Sequence, residues 1–397
     1  MLNGLILLVV VLAGGVLLYP RLARAVLWRA AITPLASIIG SGFLVLGPIL
    51  DASYGALAPL VMGALCLGAY LFGAAVRFNI ARLDGRSPRS RTEEELELAA
   101  SWMLAFAYIV SVAYYLNLLG AFSVSLTALD DPYHAKLVTS AVFIVILMVG
   151  WTRGFAALER LEQVTVGLKL AIIAGLLFGL AWYFGARAAE GALVVNPALV
   201  TGWPALTLGA GLLVTVQGFE TSRYLGEDYD AATRIRSMRL AQGIASLIYM
   251  VYILLLSYVF AQGTLKLSET AIIDLMEIVA PILPILLIFA AISAQFSAAV
   301  ADTGGSGGLL AELTRRRLSP RGGYLLLTVV GLVLTWVASV FEIISYASRA
   351  FAAYYALQSL IAARGAWATG QRRRGLAFAV LGVLGLAIAL LGTAVEG

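Results

Sequence analysis

Polar and charged positions along this 397-residue chain fall in short clusters, and long apolar runs separate them. A helix needs roughly 20 residues to cross about 30 Å of hydrocarbon. Twelve runs meet that length, near 3–19, 30–50, 55–80, 99–128, 136–152, 162–185, 204–223, 239–262, 276–302, 323–341, 342–363 and 374–395. The divisions near Ser53 and Phe341 fall in tight gaps. The pattern predicts an all-α polytopic membrane protein of about twelve transmembrane helices.

Composition strengthens that reading. Hydrophobic residues make up 61% of the chain and charged residues 12%. Soluble domains carry about 45–50% and 25%. Surplus apolar surface on this scale needs lipid as its solvent. Cys66 is the single cysteine, which excludes an internal disulfide framework. His134 is the single histidine and sits in a loop beside Asp130 and Asp131. It reads as a surface residue, and no metal site or other cofactor is expected.

Charge placement sets the topology. The apolar start, Met1 to Pro20, is followed by Arg21 and Arg24 instead of preceded by a positive segment. That is the reverse of a cleaved signal peptide and predicts a retained first helix with its N-terminus outside. Alternating from there, one set of loops holds Arg21, Arg24 and Arg29, then Arg77, Arg82, Arg86, Arg89 and Arg91, then Arg153 and Arg160. It continues with Arg223, Arg234, Arg236 and Arg239, then Arg315, Arg316, Arg317 and Arg321, then Arg364, Arg372, Arg373 and Arg374. These six loops carry 22 of the 27 basic residues, and the opposite side holds only Lys136, Arg187 and Lys266. The asymmetry predicts both termini outside a prokaryotic cytoplasmic membrane. It also turns the net charge of +5 into a topology signal spread over loops, so no nucleic-acid partner is expected. The longest polar stretch, Asp84 to Glu97, contains an EEELE run that reads as the solvated start of a helix.

Two spans carry helix-breaking sequence where lipid demands satisfied backbone. The second reads SIIGSGFLVLGP, with Gly40, Ser41, Gly42 and then Gly47-Pro48. The seventh reads LGAGLLVTVQGFETSRYLGED, with Gly209, Gly211, Gly218 and Glu220. Glycines inside membrane helices also serve close packing. Their position favours a site. The broken spans open two five-helix blocks, 30–185 and 204–363, and an odd number of spans inverts one block relative to the other. An inverted repeat places its site between two such breaks. Residues 1–29 and 374–397 then supply one extra helix at each end.

The stretch IIGSGFLVLGP resembles the first core helix of the amino acid–polyamine–organocation (APC) transporter superfamily. QGFETSRYLGED resembles its sixth, and TRGFAALERLEQVTVGLKL, Thr152 to Leu170, its fourth-to-fifth helix link. The three occur in the family's order. The resemblance implies the LeuT-type five-plus-five fold and alternating access driven by a proton or sodium gradient. It implies that Gly40, Ser41 and Gly42 hold a substrate carboxylate. The stretch around Val214, Gln217 and Gly218 would then receive an amino group, with Glu220 an acid near the site and Lys169 a base facing the first core helix. The chain departs from the family at AQFSAAVADTGGSGGLLAEL, where Asp302 precedes a glycine cluster.

Ionisable groups at membrane depth cost at least about 2.5–3.5 kcal/mol each, so each is a functional candidate. Only three of the chain's basic residues are lysines, yet Lys169 lies within a span. A buried lysine can load and release a proton, where arginine stays protonated. Lys169 can equally snorkel to an interface. Glu220 reads as a second proton carrier, as the partner of a cationic solute, or as half of an ion pair with Arg223 or Arg349. Asp302 reads as a cation or proton ligand, or as a helix-end acid beside a glycine-rich loop. Ser293 and Ser297, one turn apart, would complete a sodium site or bond back to their own helix. Glu342 and Arg349 share a face of one span, and Arg349 is expected to pair with an acid. Tyr346 on that span and Tyr115 on the fourth would line the site, and Asp51 would guard its outer end.

The leading reading is an ion-coupled carrier of a small amine-containing solute, with an amino acid as first candidate. An inorganic cation held by Asp51, Glu220 and Asp302 is the alternative cargo, and a non-transporting sensor or subunit is the alternative class. No HExxH, GxSxG or paired-histidine motif supports an enzyme.

Overall fold

The computed structural model describes the chain except residues 41, 85–89, 153–161, 227, 264–266 and 396–397. It is 83% helical, with no strand among the described residues. The helices used below are α1 (Leu2–Leu17), α2 (Val26–Ile38), α3 (Gly42–Tyr54), α4 (Ala58–Asp84), α5 (Arg91–Val124), α6 (Pro132–Thr152) and α7 (Glu162–Ala189). They continue as α8 (Gly202–Gly211), α9 (Ala231–Leu256), α10 (Ala271–Val279), α11 (Leu283–Leu313), α12 (Pro320–Val337), α13 (Val340–Ala368) and α14 (Arg372–Leu391).

Eight helical runs are long and apolar enough to cross a bilayer, counting α3 and α4 as one run of 42 residues. The apolar α1 and α2 are shorter, at 16 and 13 residues. Large apolar side chains cover the outside of the bundle, among them Val11, Phe289 and Val333. Trp203, Trp336 and Trp367 lie exposed near helix ends, where aromatic rings suit a membrane–water boundary.

Local chemistry explains several boundaries. Ser90 and Glu93 form a capping box at the start of α5, and Ser339 and Glu342 form one at the start of α13. Asp230 caps α9, and its bonds from Thr233 hold the carboxyl below the usual carboxylate range. The Ser339 box divides α12 from α13 in the tight gap near Phe341. The gap after Ser53 is a single 3-10 turn, Gly55–Leu57, so α3 runs almost directly into α4. Gly55 has φ +51° there, and a Cβ would strike the Pro197 carbonyl at 2.5 Å.

Two readings of the sequence need correction. The span near 276–302 is divided into a short α10 and a 31-residue α11. The glycine cluster after Asp302 is not a loop but part of α11. Helical glycines make a close-packing surface there. Gly307 lies against the Tyr324 ring, and a Cβ on Gly323 would come 2.9 Å from the Gly307 Cα. Asp302 is therefore not a helix-end residue.

Both predicted breaks are present. α2 ends at Ile38 and α3 begins at Gly42, with Ser41 outside the described residues. α8 ends at Gly211 and is followed by two 3-10 segments, Leu213–Val216 and Phe219–Tyr224. Between them Gln217 is extended and Gly218 adopts φ +114°. The breaks are in contact. A Cβ on Gly42 would lie 2.6 Å from the Thr215 Cα, and one on Gly218 would lie 2.7 Å from the Ser37 carbonyl carbon. Both neighbours are backbone and cannot swing aside. Gly42→Ala should therefore destabilise the protein by about 1–3 kcal/mol through overpacking. Gly68→Ala, where a Cβ meets open space, is the control. Thermal unfolding of the two variants in detergent checks this, and equal midpoints would refute the contact.

Candidate functional site

The crossing of the two breaks exposes backbone groups that no helix satisfies. Tyr249 of α9 meets part of that need. Its buried hydroxyl lies 2.6 Å from the Thr215 carbonyl and 3.0 Å from the Ile38 carbonyl, so one O–H serves both broken segments. The Val214 N–H is met in the same way, donating to Ser348 Oγ of α13 at 2.9 Å.

Beyond Gly218 a polar cluster fills the junction with α5 and α13. Glu220 is buried and accepts from Tyr355 Oη at 2.7 Å and from the Gly218 N–H at 3.0 Å. The Tyr355 hydroxyl also lies 3.4 Å from Gln217 Oε1, and Gln217 Nε2 donates to Tyr115 Oη at 3.3 Å. Phe219 stacks on the Tyr355 ring at 4.9 Å. One turn before Tyr115, Ser111 donates to Asp302 of α11 at 2.5 Å. Glu220 and Asp302 thus belong to one polar junction, and neither is ion-paired with a base among the described residues.

Lys169 lies on the other flank. It is buried, and its ammonium donates to the Ala36 carbonyl at 2.9 Å, at the end of α2. A cation is favoured there by the partial negative charge of a helix C-terminus. A cavity beside it is lined by Ser37, Thr165, Ser297 and Ala301, among others. Lys169 therefore points into the bundle and does not snorkel outward. Ser297 shares its cavity, whereas Ser293 does not line it.

Other assignments change. Tyr346 is 40% exposed on α13; the ring facing the break is Tyr355, two and a half turns later. Glu342 does not pair with Arg349: it caps α13, while Arg349 Nε donates 2.7 Å to the Ala389 carbonyl of α14. Glu220 pairs with neither Arg223 nor Arg349. Arg223 instead donates to Glu97 at 2.6 Å, and Glu93 is buried in an ion pair with Arg82. The EEELE run is therefore not merely a solvated face: two of its acids tie the start of α5 to α4 and to the segment after the second break. Asp51 sits at the far end of α3, 3.5 Å from Asn196 Nδ2, beside a separate cavity lined by Gln262. Among the described residues no three acids, histidines or cysteines come together as a metal cage, so Asp51, Glu220 and Asp302 do not converge. His134 lies at the surface, 2.5 Å from Asp131.

Tyr249, Ser348, Ser111 and Tyr355 are site residues that no motif marks, because their partners are distant in sequence. Tyr249→Phe removes the hydroxyl and leaves two buried carbonyls without their donor. A loss of about 1–3 kcal/mol is expected, measured by thermal or denaturant unfolding in detergent. An unchanged midpoint would mean that Tyr249 does not join the breaks.

Comparison with known proteins agrees with this arrangement. Residues 20–392 match the model of an APC superfamily transporter family. A similar protein, an uncharacterized protein of Aquifex aeolicus (strain VF5), is 42% identical over 386 residues, which cover 96% of this chain and 94% of that one. Two broken helices crossing in a polytopic α-helical bundle, with a family match over nearly the whole length, place this chain among the APC superfamily transporters.

Proposed function

We propose that the protein carries a small amine-containing solute, with an amino acid as first candidate, by alternating access coupled to a proton or sodium gradient. The observation that carries this reading is the contact of the two breaks at Gly42–Thr215 and Ser37–Gly218, braced by Tyr249. Half-helix ends meet there with opposite partial charge. A carboxylate is received at the N-terminus of α3 by Gly40, Ser41 and Gly42, where a helix start favours negative charge. The unwound stretch from Val214 to Gly218 presents carbonyls to an ammonium, and Tyr115 and Gln217 border it. A zwitterion satisfies both at once and needs no metal or other cofactor.

In this reading the helices form a five-plus-five inverted repeat, with blocks 30–185 and 204–363, flanked by α1 and α14 and with both termini outside the cytoplasmic membrane of a prokaryote. The charge split between the loops supports that orientation. Lys169 is the coupling group. Its ammonium holds the end of α2 through the Ala36 carbonyl, so loss of its proton releases that helix end while the site turns. Ser297 shares that cavity, and Glu220 and Asp302 are further proton-carrying positions beside the solute. The separate placement of Asp51 weighs against an inorganic-cation cargo.

Purified protein screened by thermal shift against amino acids, polyamines, nucleobases and metal ions, at two pH values with and without sodium, tests this. A specific ligand at 100 times its dissociation constant stabilises by about 2.7 kcal/mol. One or a few amino acids should raise the midpoint, and Lys169→Ala should abolish the pH dependence of that shift. Stabilisation by metal ions alone would overturn the assignment of the break to a carboxylate.

A further inference from the structure

Gln295 lies in the middle of α11 with no exposed surface. Among the described residues, neither its amide nitrogen nor its amide oxygen has a hydrogen-bond partner. A primary amide offers two donors and an acceptor, and burying all of them unpaired is unfavourable. Such a group is retained where something else completes it.

Its surroundings indicate what that is. Gln295 precedes Asp302 by seven residues, which puts them about 20° apart around the helix and about 10.5 Å apart along it. Asp302 receives the Ser111 hydroxyl, so this face of α11 looks at α5. The two helices run antiparallel: a Cβ on Gly305 would meet Tyr108, three residues on from Asp302 and three back from Ser111. Two turns the other way, Gln295 stands at the level of Tyr115 to Leu118. Tyr115 is the residue that receives Gln217 of the second break. The adjacent Ala294 borders the Lys169 cavity. The unpaired amide thus sits between that cavity and the α5 wall, facing away from lipid.

We infer that Gln295 contacts the transported solute and reads its variable part, selecting solutes whose side chain ends in a hydrogen-bonding group over aliphatic ones. This rests on the amino-acid reading above, in which the two breaks hold the carboxylate and ammonium. The side chain is then left to extend towards α5 and α11. A polar terminus pairs with the amide; an aliphatic terminus of the same shape leaves it unpaired, and sites built to hydrogen-bond a substrate reject such isosteres strongly.

Ligand-induced thermal shifts would be titrated with near-isosteric pairs: threonine and valine, glutamine and methionine, lysine and norleucine. In the wild type the polar member of at least one pair should bind at least about 100-fold more tightly than its apolar partner. Gln295→Met keeps the length and removes the amide, and it should erase that preference. Equal binding of both members to the wild type, or an intact preference in the variant, overturns the inference. A second arm needs no ligand. The ligand-free variant should unfold at the wild-type temperature or above it, because an unpaired amide has been replaced by an apolar group. A midpoint lowered by several degrees would show that the amide has a structural partner and overturns the inference independently. If no amino acid binds the wild type at all, the amino-acid reading fails and this inference with it, an outcome distinct from equal binding of both members of a pair, which overturns the inference alone.

Discussion

A backbone N–H or C=O inside hydrocarbon must find a partner, and water is not there to supply one. The rest of this structure is arranged around the two places where the chain suspends its own helical bonding. α2 stops at Ile38, and α8 gives way to 3-10 turns after Gly211; carbonyls and an amide left free at these ends are met from three other helices. Tyr249 of α9 serves Ile38 and Thr215, Ser348 of α13 serves Val214, and Lys169 of α7 serves Ala36. Glycine is required because the breaks touch backbone to backbone. Gly218 has a left-handed φ, and neither it nor Gly42 has room for a methyl group.

The α5 helix organises what lies around the crossing. At its start, Glu93 and Glu97 ion-pair with Arg82 and Arg223 and so hold α4 and the segment after the second break. At its middle, Ser111 and Tyr115 reach Asp302 and Gln217. Farther on, Asn117 donates to Thr335 of α12. One helix thereby joins the surroundings of the second break to α11 and α12. The terminal helix α14 adds a second constraint. Its carbonyl at Ala389 takes the Arg349 guanidinium, and Thr393 beyond it donates its N–H to Thr207 of α8 at 3.0 Å. α14 and the residues after it therefore bear on the first half of the broken span.

Much of this was legible in order along the chain. Apolar run length marked most of the helices, because 1.5 Å per residue against a fixed hydrocarbon thickness leaves little freedom. Both breaks were legible because glycine, serine and proline inside an apolar run have few structural uses. Lys169 was legible as a rare lysine at membrane depth, though only the structure separated an inward ammonium from a snorkelling one. The failures have a common cause. The glycine cluster after Asp302 reads as a loop by local propensity, but in a membrane helix the same residues are a packing face for α12. Glu342 and Arg349 share a helix face, yet each is taken by a nearer partner: a cap in one case and an α14 carbonyl in the other.

The sequence by itself determined the environment, the rough position of most apolar helices, the places where helical bonding stops and the membership of a transporter family. These follow from local composition and spacing, which act over one span at a time. Only the tertiary structure decided which side chain meets which break. Tyr249 lies more than 200 residues from Ile38, Tyr355 more than 130 from Glu220, and Ser111 nearly 200 from Asp302. It also left both amide atoms of Gln295 buried without a partner among the described residues. Contacts across such separations depend on how helices are rotated and tilted against one another, and ridge-into-groove packing summed over the whole bundle sets that geometry.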